Sequence, residues 1–228
     1  MKKKLLILIV LSCCVLSLVG CKKNELNLSD YVIEERNNLF TANDELYSVN
    51  ISSGQREENY NFDGVVGNMV DFAVITFIRN DNLPLANDNY SYLVKVNENE
   101  YSGFLEKSPL DNSYASDFGV AIPNDAEIEV KISFTGYTFN QKLLNTSNNF
   151  SVDKNSAIQI ANEQLKDDIK NILSDKNTKI EVVMKILKDY SVEETPKYYW
   201  YVGIVSTNGE TLGILIDATN GDIIAKKV

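Results

Sequence analysis

The sequence predicts a mostly β protein, in which a β-sandwich is followed by a small α+β domain with one helix on an antiparallel sheet. Three observations support this fold class. Short runs of β-branched and aromatic residues recur about every dozen residues between Leu39 and Leu144. A helical period of three and four residues begins near Ser151. Two Asn-Gly pairs, at Asn208 and Asn220, then separate the last strands, and this dipeptide favours a type I′ hairpin turn.

The first half of the chain is expected to form seven or eight short strands. They are predicted at residues 46–51, 70–78, 92–96, 101–105, 118–122, 128–134 and 137–144. Strands of this number and length are typical of an immunoglobulin-like β-sandwich, which we expect over residues 31–148. The Cys, Trp and Cys positions of true immunoglobulin domains are missing, so the expectation concerns architecture alone.

The second half is expected to be a separate unit, because the periodicity changes after Asn148. Apolar residues then lie on one face of a helix, and Asp153 is suited to cap its N-terminus. The helix-face residues are Ile158, Ala161, Leu165, Ile169 and Ile172. Strands are predicted at residues 180–190, 198–206, 211–217 and 223–228. Residues 151–228 are therefore expected to close a small core and to fold alone.

Within this second half, residues 153–161, 199–202 and 213–224 resemble PepSY and PepSY-like domains. In that family a strand ends in an Asp-Ala-x-x-Gly turn, and Asp217, Ala218 and Gly221 match those places. The resemblance covers about residues 151–228. It implies a PepSY-like α+β fold with an inhibitory or regulatory binding role, and it carries over no catalytic residue.

The start of the chain resembles the signal sequence of bacterial lipoproteins. Three lysines at residues 2–4 precede an apolar stretch at residues 5–18, and Gly20 stands directly before Cys21. The apolar stretch is shorter than the roughly 20 residues that a membrane span needs. The resemblance implies a signal peptide at residues 1–20 and a lipid on Cys21, which a palmitate analogue would label.

Residues 21–30 are polar and without a pattern, so we expect them to tether the folded part to that lipid. The expected location is the outer face of the cytoplasmic membrane, or an outer membrane in a Gram-negative cell. Membrane attachment is then through the lipid on Cys21.

The net charge argues against nucleic-acid binding. The formal charge is −10, and removal of residues 1–20 would take away three of 22 basic residues and none of 32 acidic ones, giving −13. A strongly acidic chain repels phosphate backbones and anionic headgroups.

The cysteine and histidine counts exclude several kinds of catalysis. Cys13 and Cys14 would leave with the signal peptide, so the remaining Cys21 cannot form an intrachain disulfide. The sequence has no histidine, which excludes a Ser-His-Asp triad and a zinc site of His and Cys ligands. Paired carboxylates, Ser-Lys catalysis and a calcium site of oxygen ligands remain possible in principle.

A run of aromatic residues is the first candidate binding site. Tyr198, Tyr199, Trp200 and Tyr201 could form a stacking platform for a sugar or a peptide. Strand alternation divides them, with Tyr199 and Tyr201 on one face and Tyr198 and Trp200 on the other. One pair is therefore expected in the core, and an outward pair is more often a domain or partner contact.

Arg56 is the second candidate, because it is one of only three arginines and lies near acidic residues. It could recognise a carboxylate. The alternative, which we favour, is an ion pair with Asp63 or Glu57 that fixes the surrounding loop. Asn- and Asp-rich segments at 80–82, 87–89 and 217–222 are expected to be turns, so neither a metal nor a cofactor is predicted.

Together these patterns predict a lipid-anchored cell-envelope protein that acts as a non-catalytic binding or regulatory module. The expected partner is a peptide or protein of the envelope, a protease among the candidates. Two alternatives stay open, an envelope-glycan-binding module and a hydrolase built on carboxylates.

Overall fold

The computed structural model of the chain describes residues 26–80, 82–83, 89–109, 112–189 and 196–228. The predicted signal peptide and Cys21 lie outside these residues. Within them, no helix is both long enough and apolar enough to cross a membrane.

The described residues form twelve strands and two α-helices. The strands are β1 (Val32–Asn43), β2 (Tyr47–Glu57), β3 (Met69–Arg79), β4 (Tyr90–Val96), β5 (Asn99–Lys107), β6 (Ser113–Phe118), β7 (Ile128–Phe134), β8 (Tyr137–Asn145), β9 (Ile180–Lys188), β10 (Tyr198–Ser206), β11 (Thr211–Asp217) and β12 (Ile223–Lys227). The helices are α1 (Lys154–Gln164) and α2 (Lys166–Ile172), and 3-10 helices cover Leu28–Tyr31 and Ser147–Asn149.

The first eight strands form a closed antiparallel barrel, so the predicted immunoglobulin-like β-sandwich is wrong. The strand order is β1-β2-β3-β6-β5-β4-β7-β8, and β8 returns to β1 through the pairs Phe40 with Asn145 and Thr41 with Leu144. A sandwich would instead need two separate sheets. Alternation of apolar and polar residues is the same in both architectures, because each has one buried and one exposed sheet face.

The last four strands extend the same sheet, so the predicted separate PepSY-like α+β domain is also wrong. Strand β9 runs parallel to β1, with Val182 opposite Val32 and Lys185 opposite Arg36. Strands β10, β11 and β12 follow in antiparallel order. The helical segment is two helices rather than one, since α1 ends at Gln164 and α2 begins at Lys166, with Leu165 between them.

Two local predictions are confirmed in this region, namely the cap of α1 and the turns that join the last three strands. The type of turn differs from the prediction. Asp153 caps α1 by accepting a hydrogen bond from the Ser156 amide at 2.7 Å. The Asn-Gly pairs do join β10 to β11 and β11 to β12. Only the glycines, Gly209 and Gly221, have a positive φ, so these turns are not type I′. They are longer turns in which the glycine takes the left-handed conformation.

Apolar residues gather in two cores. One fills the barrel, and the other lies between the helices and the sheet formed by β9, β10 and β11. Leu28, in the C-terminal part of the predicted tether, is fully buried in this second core. The folded part of the chain therefore begins before β1.

Candidate functional site

Strand β1 belongs to both parts of the sheet, and the place where it changes partner opens a cleft. Its pairing with β9 stops at Arg36, and its pairing with β8 starts at Phe40. A β-bulge lies between Arg36 and Asn38, and such bulges bend a strand and redirect its side chains. Beyond Lys185, β9 is no longer paired with β1. The space that opens there has a volume of about 460 Å³.

The lining of this cleft is basic and polar over an aliphatic base. It consists of three cations (Arg36, Lys185, Lys188), five amide or hydroxyl side chains (Asn50, Ser52, Thr76, Asn112, Ser113) and four aliphatic ones (Leu39, Ile78, Ile186, Leu187). None of these described lining residues is acidic, although the chain carries a formal charge of −10. A cleft of this size with a few polar groups is typical of a small-ligand or side-chain binding site.

One row of residues crosses five strands beside the cleft, and we call it the cross-strand row. Tyr201 lies opposite Lys185, Lys185 opposite Arg36, Arg36 opposite Gly54, and Gly54 opposite Phe72. Residues that lie directly opposite on neighbouring strands place their side chains on the same face of the sheet. Because neighbouring strands are about 4.8 Å apart, the row is about 19 Å long.

Tyr201 forms one end of this row because two glycines make room for its ring. A Cβ atom added at Gly203 would lie 2.5 Å from the Tyr201 Oη atom, and one at Gly213 would lie 3.5 Å from its ring. The ring therefore rests on the glycine backbone. The Lys185 ammonium lies 5.8 Å from the ring centroid, which is within the range of a cation–π contact.

Phe72 forms the other aromatic part of the row, and two arginines cover it. The Arg36 and Arg56 guanidinium carbons lie 5.4 and 4.7 Å from its ring centroid. Phe72 points away from the barrel core but is only 1% exposed. Arg36 donates to the buried Glu34 at 2.7 Å, and Arg56 forms an ion pair with Asp117.

Lys185 lines the cleft without an acidic partner among the described residues. Among the described residues, no carboxylate lies within ion-pair distance of its ammonium, and the nearby Glu34 is already paired with Arg36. Burial lowers the pKa of Lys185, the neighbouring Arg36 lowers it further, and Glu34 acts in the opposite direction. Burial also lowers the pKa of Lys188. An anion in the cleft would relieve the repulsion between Arg36 and Lys185.

The structure separates the aromatic residues that the sequence singled out. Trp200 is 2% exposed and its Nε1 donates to the Val152 carbonyl at 2.8 Å, so it belongs to the helix-side core, and Tyr198 packs against that core. Tyr199 and Tyr201 lie on the opposite, open face. Tyr201 is thereby brought onto the same side of the sheet as Arg56, which pairs with Asp117 rather than with Asp63 or Glu57.

Three residues of the cleft were missed by sequence reasoning, namely Arg36, Lys185 and Lys188. In the sequence Arg36 is distinguished only as one of the three arginines. A signal for Lys185 exists, because Glu181 and Lys185 are the polar members of one face in the otherwise apolar start of β9. Two-residue alternation predicts a polar open face from that spacing, but it does not predict which strand will lie alongside.

The segment at residues 217–222 forms a turn, as the sequence predicts. In the structure the Thr219 hydroxyl donates to Asp217 Oδ1 at 2.5 Å and the Thr219 amide donates to the same oxygen at 2.8 Å, and these bonds, the hydroxyl bond most, lower the pKa of Asp217. The Asn220 amide group donates to Asp222 at 2.8 Å. The carboxylates thus hold the turn itself. The described residues contain no cluster of acidic or thiol side chains that could hold a metal ion.

No family model, curated protein or solved structure matches the chain.

Proposed function

We propose that this protein is a binding module that holds an extended acidic segment of a protein partner in the cleft beside β1 and β9. One observation carries the proposal. Two cations, Arg36 and Lys185, lie opposite each other on neighbouring strands at a cleft whose described lining has no acidic residue, and only Arg36 has a carboxylate partner. Partly buried cations bind carboxylates more strongly than fully exposed ones, because water screens them less.

An extended segment fits this site better than a small anion. The cross-strand row is about 19 Å long, which is the length of about six extended residues. Cations occupy its centre, and the aromatic rings of Tyr201 and Phe72 lie to either side. Acidic side chains of a partner would bind Lys185 and Arg36, and its apolar side chains would pack on Tyr201 and on aliphatic residues such as Leu39.

Binding without turnover is the activity that these groups support. A carboxylate-based hydrolase needs two facing acids on either side of the scissile bond, whereas this cleft presents cations. Ser52 and Ser113 share the cleft with Lys185, so binding is distinguished from Ser-Lys catalysis by whether a bound peptide stays intact. The envelope-glycan alternative lacks support at this site, because neutral sugars do not require a paired set of cations.

We further propose, from the sequence pattern alone, that the protein works in the cell envelope with a lipid on Cys21. The partner would then be an envelope peptide or protein with an acidic stretch, a protease among the candidates. Labelling with a palmitate analogue tests the anchor. Label on the wild-type chain and loss of label in Cys21→Ser would support it, and label that persists in the variant would contradict it.

The binding proposal can be tested with a fluorescein-labelled peptide of alternating glutamate and leucine and a matched peptide of glutamine and leucine. Fluorescence anisotropy with the chain from residue 22 onward should show tighter binding of the acidic peptide and weaker binding as salt is raised. Lys185→Gln should weaken binding by about tenfold or more, since it removes the unpaired cation. Lys131→Gln, an exposed lysine on β7, is the matched control and should bind like the wild type.

Equal binding of both peptides, or equal binding by Lys185→Gln and the wild type, would contradict the proposal. Mass spectrometry of the same peptide after long incubation should show it intact. Cleavage that depends on Lys185 would contradict the non-catalytic part.

A further inference from the structure

A second surface of different chemistry lies on another wall of the barrel, formed by β5, β4, β7 and β8. Phe104 lies opposite Ser91, Ser91 opposite Ser133, and Ser133 opposite Thr138, so their side chains share one outward face. Tyr137, at the start of β8, also borders this surface. The depression between them is wide and open, with a volume of about 620 Å³. We call it the aromatic groove.

Two of the three aromatic residues that line the groove are unusually exposed. Phe104 is 65% exposed in the middle of a strand, and Tyr137 is 42% exposed. Tyr137 is held in place by stacking on Phe134, with ring centroids 5.0 Å apart and an interplanar angle of 19°. Exposed aromatic rings that are fixed by the fold are a common feature of binding surfaces.

Between these rings the floor consists of small hydroxyl side chains. The Ser91 hydroxyl donates to the Ser133 carbonyl at 3.1 Å, which leaves its oxygen able to accept a hydrogen bond from a ligand. The hydroxyls of Ser133 and Thr138 lie 3.4 Å apart. None of the described residues that line the groove is charged, although charged residues make up 24% of the sequence.

We propose that the aromatic groove binds a neutral carbohydrate chain. A pyranose ring has one apolar face, which stacks on an aromatic ring, and hydroxyls around its edge, which pair with serine and threonine hydroxyls. A floor without charge suits a ligand without charge, because an unpaired ion would lose solvation on binding. The groove lies on strands that the cleft does not use, so this proposal is independent of the proposed function.

The test is a titration of the ¹⁵N-labelled chain from residue 22 onward with chitohexaose, cellohexaose and maltohexaose, followed by amide chemical shifts. At least one oligosaccharide should give saturable shifts centred on Ser91, Ser133 and Thr138. Phe104→Ala and Tyr137→Ala should each weaken that binding by about tenfold, because each removes a stacking surface. Phe62→Ala, which removes a comparably exposed aromatic ring on the β2–β3 loop, is the matched control and should bind like the wild type.

Four results would overturn the proposal, and the first three concern sugar binding itself. These three are the absence of shifts with all three oligosaccharides, wild-type affinity in both Phe104→Ala and Tyr137→Ala, and displacement of the sugar by the acidic peptide used for the cleft. Shifts at the groove that depend on protein concentration without sugar would also overturn it, because they would assign the surface to self-association. Loss of acidic-peptide binding alone would leave the sugar result unchanged and would concern only the cleft.

Discussion

The barrel and the C-terminal part of the sheet bury their apolar side chains in different ways. In the barrel, β8 returns to β1, so eight strands enclose one core and leave no edge among themselves. In the C-terminal part, α1 and α2 cover one face around Trp200, and the other face is open around Tyr201 and Lys185 but is covered at Glu181 by the loop that carries Gly64. Tyr201 and Lys185 lie on this open face, next to the point where β1 passes into the barrel. The proposed binding groups therefore lie where the C-terminal part of the sheet, which helices cover on one face, joins the closed barrel.

The largest expected effect concerns the dependence of the C-terminal part on β1. Sequence periodicity predicts that residues 151–228 fold alone, whereas the pairing of β1 with β9 and the burial of Leu28 predict that they do not. Without β1, β9 would have an unpaired edge and the helix-side core would lose part of its packing. We expect this fragment to show no cooperative thermal transition by circular dichroism. A chain of residues 26–228 should melt in one step, and a cooperative melt of the fragment would contradict this view.

The next largest effect concerns stability, which should depend strongly on a side chain inside the barrel and little on one at its outer surface. Phe77 is fully buried, with its ring centroid 5.2 Å from that of Tyr90. Phe77→Ala should lower the free energy of unfolding by about 3–5 kcal/mol. The exposed Phe104→Ala should change it by no more than about 0.5 kcal/mol. Urea titrations of both variants measure the two values, and a cost at Phe77 as small as that at Phe104 would mean that the barrel is not closed around this core.

A smaller effect is expected on the open face. Gly203→Ala would place a Cβ atom against the Tyr201 ring and displace it, at a cost of about 1–3 kcal/mol in stability. The displaced ring should also weaken binding of the acidic peptide. Gly119→Ala is the matched control, because a Cβ atom there would contact nothing within 4 Å. Unchanged peptide binding in Gly203→Ala would show that the Tyr201 ring takes no part in the site.

The smallest effect is a pH dependence at the start of β9. Glu181 is buried and accepts a hydrogen bond from the Gly64 amide, and burial raises its pKa. The folded state therefore binds the proton more tightly than the unfolded state. Stability should fall as the pH rises from the ordinary glutamate range through the raised pKa.

Urea titrations across this pH range test the effect with Glu181→Gln, which cannot ionise and should lack the pH dependence. The difference in stability between the wild type and this variant should change with pH. A difference that stays constant would mean that Glu181 titrates alike in the folded and unfolded states.

Much of the local structure could be predicted, because its causes are local. The strand at residues 128–134 follows two-residue alternation and is found as β7, and the predicted hairpin at residues 92–105 is found as β4 and β5. Asp153 caps α1 through a contact three residues away. The strand predicted at residues 118–122 is an error, since β6 lies at Ser113–Phe118.

The fold as a whole could not be predicted, because it depends on a strand without a local signature. The sequence of β1 is polar from Glu34 to Asn38, and its bulge breaks the alternation. Its two decisive partners, β8 and β9, lie more than a hundred residues further along the chain. The cleft could not be predicted for the same reason. Alternation separates Trp200 from Tyr201, but only the pairing of β1 with β9 brings Arg36 to Lys185.

Mapping where the acidic peptide binds tests the proposed site most directly. The unlabelled glutamate and leucine peptide would be titrated into the ¹⁵N-labelled chain from residue 22 onward, and the amide shifts followed residue by residue. We expect saturable shifts centred on Arg36, Lys185 and Tyr201, with the amides around Phe104 unchanged. Saturable shifts elsewhere, with none at Arg36 and Lys185, would contradict the claim that β1 and β9 form the binding site.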